Sequence, residues 1–299
     1  MNRSQFIHHL GLLAAGSMAL PGMIFRAASP FTPLRNNVGI FSMQGGTIGW
    51  FVTDDAIVSI DSQFPDPARS FVDGIGEFGG GPEKILINTH HHGDHTGGNL
   101  VFHNNGYRII AHENVPLFQR QAAEANNTEA NQAYAETTFT DSKELNISGE
   151  TITAKYYGAA HTNGDAVIWF EEANIAHMGD LIFNRRYPFI DRNSGARISG
   201  WIDLLETVYS EADSNTLFIF GHGNPEFGVT GSREDLLVMR DFLSHLLAHT
   251  KNEIESGKSR EEIASIQHFE EFPDFESPSN FLSLPRNIDV AWRELTNTD

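Results

Sequence analysis

The sequence predicts an α/β (α+β) protein, and three observations carry that expectation. From Pro33 onward, short apolar runs of strand length alternate with stretches of helical spacing. Some runs stay apolar over successive residues, as in residues 84–88 (KILIN), the pattern of a strand buried on both faces. A late segment instead places Leu236, Leu237, Phe242, Leu243, Leu246 and Leu247 at the 3.6-residue period of an amphipathic helix.

Taken in order, residues 38–43, 47–52 and 56–60 are separated by Gly45-Gly46 and Asp54-Asp55 and read as a β-meander. Residues 67–78 have helical spacing and end in Gly79-Gly80-Gly81. The KILIN strand runs straight into a histidine-rich loop, after which Gly97-Gly98 start a helix. Residues 107–111 form a strand, and the Ala/Asn/Glu-rich stretch 113–137 reads as a helical excursion. Further strands are expected at 151–157, 166–170 and 174–177, with 216–220 (TLFIF) the last. Ser232 opens the amphipathic helix and Gly257 closes it, and Ser259 with Glu262 forms a capping box for another. Residues 272–283, rich in Pro and Ser, read as a loop before a short terminal helix. No internal repeat or linker interrupts this order.

Composition narrows the function. The chain has 299 residues with a formal charge of −19, 11% aromatic residues and no cysteine. Such a length can bury a sizeable core, and 22 Phe exclude a disordered composition. Zero Cys excludes disulfides, thiolate-held zinc, iron–sulfur clusters and Cys nucleophiles. The acidic balance argues against nucleic acid as a partner, since phosphate backbones reward a basic face.

Residues 1–29 read as a signal peptide: Arg3, an apolar stretch from Leu10 to Leu20, then Ala27-Ala28-Ser29. The apolar stretch is short for a membrane span, which needs ~20 residues. Arg3-Ser4-Gln5-Phe6-Ile7 also resembles a twin-arginine signal with Ser4 in place of the second Arg, so either export route fits. Residues 30–299 are then a single domain with a C-terminal helical extension, periplasmic or secreted, with no stable membrane span. Loss of Arg3 and Arg26 leaves 18 basic against 39 acidic residues, a net charge of −21.

The chemistry is concentrated in residues 89–98 (THHHGDHTGG). Four of the 14 histidines fall within six residues, where about 0.3 would fall by chance. Imidazoles and carboxylates are the donors that suit zinc or another borderline divalent ion. In an extended loop His90 and His92 face one way and His91 the other, which leaves His91 a supporting role. Asp94 and His95 follow on a turn permitted by Gly93. This spacing gives four ligands to one ion only with difficulty, but serves two ions side by side. Asp61, at the end of the strand 56–60, is placed either to hydrogen-bond a ligand imidazole from behind or to cap the turn there. His177 lies within a strand and is expected to pack in the core.

His90-x-His92-x-Asp94-His95 resembles the metal-binding signature of the metallo-β-lactamase superfamily. Matching partners follow in order: His161 in Gly158–Asp165 (GAAHTNGD), Asp180 in Met178-Gly179-Asp180 and His222 in Phe220-Gly221-His222-Gly223. The resemblance spans most of residues 36–256. It implies an αβ/βα sandwich of two mixed β-sheets flanked by helices, with the site at one edge. It implies that His90, His92 and His161 hold a first metal, that Asp94, His95 and His222 hold a second, and that Asp180 bridges them. Zinc is the expected metal, and manganese or iron would accept the same ligands. Two such ions about 3.5–4 Å apart share a hydroxide, make it nucleophilic near pH 7 and polarise a carbonyl. Asp94 has a further catalytic duty, orienting the hydroxide or passing a proton to the leaving group.

The expected activity is therefore an exported dinuclear-zinc hydrolase of a small carbonyl substrate: ester, lactone, thioester or cyclic amide. Asn184, Arg185, Arg186, Tyr187 and Asn224 flank the ligand motifs and are the candidate substrate contacts, a guanidinium there being able to pair with a carboxylate; the alternative for Arg185 and Arg186 is that they neutralise an acidic surface. Secreted β-lactamases of this superfamily generally carry Cys or Ser where Asp180 stands, which places the chain with the broader hydrolase branch. A true β-lactamase is the alternative. From other classes, a mononuclear-iron oxidoreductase resembling persulfide dioxygenases and a non-catalytic metal binder also fit the fold, though a binder has no need of a bridging acid.

Overall fold

The computed structural model describes residues 29–298. The expected signal sequence, residues 1–29, lies almost wholly outside them.

Seven strands form the first sheet, in sequence order from one edge to the other: β1 (Phe31–Arg35), β2 (Val38–Phe41), β3 (Ile48–Val52), β4 (Ala56–Ile60), β5 (Glu83–Asn88), β6 (Arg108–His112) and β7 (Thr137–Phe139). The first four pair antiparallel and the last four parallel, so the sheet is mixed. The second sheet contains β8 (Ser142–Ile147), β9 (Glu150–Tyr156), β10 (Ala166–Phe170) and β11 (Ile175–His177). Past the two-residue strand β12 (Phe183–Asn184), it is completed by β13 (Leu217–Ile219) and, beyond β14 (His222–Gly223), by β15 (Thr230–Gly231). Its order is β15-β13-β11-β10-β9-β8, with only β11 and β13 parallel; β12 and β14 pair separately.

The two sheets face each other across Val38, Phe51, Ile60, Ile87, Ile110, Ile152, Ile168, Phe170 and Ile219, all buried. The opposite face of the first sheet buries Trp50, Ile57, Leu86 and Ile109 against α1 (Pro65–Gly74) and, past the short α2 (Gly93–Thr96), α3 (Asn99–Asn104), through Phe71 and Phe102. Both faces of β5 are thus dry, which is why KILIN reads as an unbroken apolar run. After β6 comes α4 (Asn114–Asn126). The outer face of the second sheet carries α5 (Ile198–Glu211), α6 (Arg233–Glu255), α7 (Arg260–Ile263) and α8 (Leu284–Thr296), joined through Trp201, Leu205, Phe242, Leu246 and Ile288. Helix, sheet, sheet and helix follow one another, the αβ/βα arrangement that was expected. No helix among the described residues is long and apolar enough to cross a membrane.

Several elements differ from expectation. A strand runs through Pro33, at the sheet edge, where a missing N–H costs no ladder bond. The stretch 113–137 is α-helical only to Asn126, makes one short turn at Glu129–Asn131 and ends by joining the first sheet as β7. TLFIF is not the last strand, since β14 and β15 follow it. The capping box expected at Ser259 with Glu262 forms, and Ser232 with Asp235 makes a second one that was not expected.

Candidate metal centre

Five strand ends deliver the chemistry to one edge of the sandwich. Asp61 follows β4, His90 to His95 follow β5, His161 follows β9, Asp180 sits in the turn after β11, and His222 begins β14 just past β13. The two sheets are tied together there: Thr47 N donates to the Gly221 carbonyl at 3.0 Å, and His177 Nε2 donates to the Thr47 carbonyl at 3.0 Å. His177 is therefore a buried cross-sheet tie. Gly221 is required because a Cβ there would collide with the Asp180 carboxylate, and Gly46 because one would strike the His95 ring.

Hydrogen bonds fix how the imidazoles point. Thr89 Oγ1 gives its one proton to Asp61 Oδ2 at 2.8 Å, so it must accept from His90 Nδ1 at 3.0 Å. His161 Nδ1 donates to the Phe189 carbonyl at 2.7 Å. His92 Nε2 donates to Asp191 Oδ2 at 3.0 Å. The remaining nitrogens then turn lone pairs toward one another: His92 Nδ1 is 3.1 Å from His90 Nε2 and 3.0 Å from His161 Nε2. With neutral rings neither contact is a hydrogen bond, and the arrangement calls for a shared cation. Asp180 Oδ2 stands 3.8 Å and 3.7 Å from the Nε2 atoms of His90 and His161.

The second donor group lies on the other side of Asp180. His95 Nδ1 donates to Asp61 Oδ2 at 2.7 Å, which aims Nε2 at Asp180 Oδ1, 3.0 Å away. Both of these atoms are buried without a hydrogen-bond partner. His222 Nε2 is 3.1 Å from Asp94 Oδ2 and 3.3 Å from Asp180 Oδ2. The donor atoms of His90, His92, His161 and Asp180 lie within 4.8 Å of one another, as do those of Asp94, His95 and His222. Nitrogen and oxygen donors gathered in two clusters that share one carboxylate, with His95 Nε2 and Asp180 Oδ1 buried and unpartnered among them, fit a pair of divalent ions.

The electrostatics divide the clusters. Burial, reinforced by His95, holds His90 well below the ordinary imidazole range. Burial and His92 push His161 down to about 3. Burial opposes the charged form of His222, but Asp180 and Asp94 outweigh it and lift this residue to about 9; in His95 the same carboxylates with Asp61 prevail. Burial would raise Asp94, yet His95 and His222 hold it at about 2, an ionised acceptor.

The sequence profile of the metallo-β-lactamase superfamily matches residues 67–239, more than half of the chain. The chain belongs to this superfamily. It is a metal-dependent hydrolase. Metallo-β-lactamase IND-1 of Chryseobacterium indologenes is 26% identical over 202 residues, covering 64% of this chain and 80% of that protein. The 2,4-dinitroanisole O-demethylase subunit alpha of a Nocardioides species is 26% identical over 184 residues, covering 58% of this chain and 52% of that protein. Among solved structures, metallo-β-lactamase IND-7 aligns with TM-score 0.58 and 22% identity over 71% of this chain and 97% of its own. The sec-alkylsulfatase Pisa1 of a Pseudomonas species aligns with TM-score 0.69 and 12% identity over 89% of this chain, which spans only half of that enzyme. At such identities the structures speak for the fold alone.

The expected substrate contacts fare less well in this superfamily member. Tyr187 is 1% exposed and packs on Phe242 and Phe275 in the helical core, so it does not reach the cleft. Asn184 spends its amide on the carbonyls of Phe227 and Gly228, at 3.3 and 3.0 Å, and Asn224 Oδ1 accepts from Glu226 N at 2.9 Å; both shape the loop after β14. Arg185 pairs with Asp235, and Arg186 Nε with Glu276 at 3.1 Å. Only Arg186 lines a cavity with His222, of about 160 Å³. Asp191 is the residue that the sequence did not reveal. Burial opposes its ionisation, but hydrogen bonds from His91, His92 and Ser194 hold its carboxyl well below the ordinary range. His91 bonds Ser194 Oγ at 3.1 Å and keeps the supporting role read from the loop.

Asp61 accepts three hydrogen bonds, two from Thr89 and one from His95. Asp61→Asn should weaken metal binding about 10- to 100-fold, read by competition with a chelator, because the His95 ring loses its orienting acceptor. Unchanged affinity would show that packing alone sets the ring.

Proposed function

We propose that the protein is a dinuclear-zinc hydrolase acting on a small carbonyl substrate, an ester, lactone, thioester or cyclic amide. The observation that carries this reading is Asp180, whose two oxygens face both donor clusters at once. His90, His92 and His161 would hold one ion, Asp94, His95 and His222 the other, with Asp180 between. Bound there, two divalent ions supply an activated water and an electrophilic contact for the substrate's carbonyl oxygen.

The chain's own groups supply orientation. Asp61, Thr89, Asp191 and the Phe189 carbonyl lock the rings, so the donors need no rearrangement. Asp94 is the more exposed of the two donor carboxylates and accepts from His222, so it can receive a proton from the attacking water and return it to the leaving group. We propose further that residues 1–29 direct export to the periplasm or beyond, and that residues 30–299 are the mature domain.

β-Lactam hydrolysis is the second reading, favoured by the names of relatives such as IND-1. Elemental analysis of the purified protein tests the first step, with about two zinc per chain expected. A panel of esters, lactones, thioesters and nitrocefin tests the second. One iron per chain with oxygen uptake would overturn the dinuclear-zinc reading, and nitrocefin turnover far above the esters would select the lactamase.

A further inference from the structure

A cavity of about 490 Å³ opens beside the first donor cluster, walled by Phe189, Asp191 and Arg192 on one side and Phe281, Arg286 and Arg293 on the other. That is the size of a small-molecule site. Its inner wall is shared with the cluster: Asp191 holds His92, and the Phe189 ring lies 5.2 Å from the His92 ring. Planar groups continue outward from there. Phe281 stacks on Phe189 at 4.8 Å and 25°, and the Arg286 guanidinium lies over Phe281 at 4.7 Å. Phe281 is 51% exposed, a large aromatic face left toward solvent.

The charges of this cavity do not cancel. Asp191 is committed to His92 and Ser194, and Asp289 is paired with Arg260 and Arg293. Arg192 makes only a 3.5 Å contact to the Ala196 carbonyl, and Arg286 makes no ion pair; neither has a carboxylate partner among the described residues. In a chain with 39 acidic and 20 basic residues, two guanidiniums left over in one cavity run against composition. A neutral ligand would leave both without a counter-charge.

We infer that this cavity binds an apolar body carrying a carboxylate, with Arg192 and Arg286 on the anion and Phe189 and Phe281 on the body. The anion arm belongs to the substrate if the hydrolase reading holds; the class of ligand does not depend on it. The anion site expected at Arg185 and Arg186 thus falls instead to residues from another loop and from the C-terminal helix.

Calorimetric titration of the metal-loaded protein with 4-phenylbutyrate and with 4-phenylbutyramide tests the inference. The carboxylate should bind at least tenfold tighter, and the R192Q/R286Q double variant, with unchanged metal content, should bind both alike. Phe281→Ala should weaken both ligands. Equal affinities in the wild type, or full carboxylate affinity in the double variant, would overturn the site and assign the anion to the metals. Paired esters with and without a distal carboxylate separate the two readings. Hydrolysis with no preference sinks the pocket alone, whereas binding that depends on the arginines without hydrolysis of any ester sinks the carbonyl-substrate reading alone.

Discussion

Asp180→Ala should leave no more than one tightly held divalent ion per chain and lower kcat/KM on the best substrate by about a thousandfold. Asp180 presents Oδ2 to His90, His161 and His222 and Oδ1 to His95, so it is the one anion shared by both donor clusters. Without it, two dications would face each other across a gap with no charge between them, a repulsion that grows where water is excluded. Asp180→Asn keeps the shape beside Gly221 and removes the charge, so it separates electrostatics from packing. If charge is the cause, both variants lose the second equivalent by elemental analysis. Two tightly bound ions in either variant would refute the bridge.

The architecture was legible because burial leaves a direct trace in sequence. Ile85, Leu86 and Ile87 of KILIN are apolar in succession because β5 packs on both faces, and the 3.6 period of α6 marks the single face it buries. The candidate donors could be named because all seven lie within motifs placed just past a strand, where the backbone turns and side chains converge. Edge elements left a weaker trace. Strand β8 (SKELNI) alternates in exposure and is polar throughout its outer face, and β1 contains a proline. Helix α5 was not expected, although Ile198, Trp201, Leu204, Leu205 and Val208 lie on one buried face in hindsight.

Second-sphere contacts were harder still. Asp61 could be named from its place at a strand end, whereas Asp191 sits 99 residues from His92 in a loop without a motif. The substrate side was less legible for a related reason. Proximity in sequence to Asp180 suggested Arg185, Arg186 and Tyr187, but one turn of chain is enough to send Tyr187 into the core and to give each arginine a carboxylate partner. What sequence position conveys is the strand end; which way the following side chains turn is decided by helices that arrive much later in the chain.

Protons and metal should compete unequally for the two clusters. His90 and His161 are held below neutrality by burial, so these two rings offer free lone pairs at pH 7. His95 and His222 are held above the ordinary imidazole range by Asp180 and Asp94 despite burial, so a metal entering the second cluster must displace their protons. Each displaced proton costs about tenfold in apparent affinity per pH unit. Affinity for the second equivalent should therefore fall up to ~100-fold per unit from pH 8 to 6, with a much shallower slope for the first. Chelator competition at pH 6, 7 and 8, with proton release followed in weakly buffered solution, measures both; parallel slopes would defeat the assignment. The metal-free fold should show the matching sign. A group raised to about 9, as His222 is, stabilises the fold fully below its unfolded value near 6.5 and loses that contribution as pH rises through 9. The gap in Tm between loaded and metal-free protein should thus widen from pH 6.5 to 9, because the metal replaces as counter-charge to Asp94 and Asp180 the very protons that alkali removes.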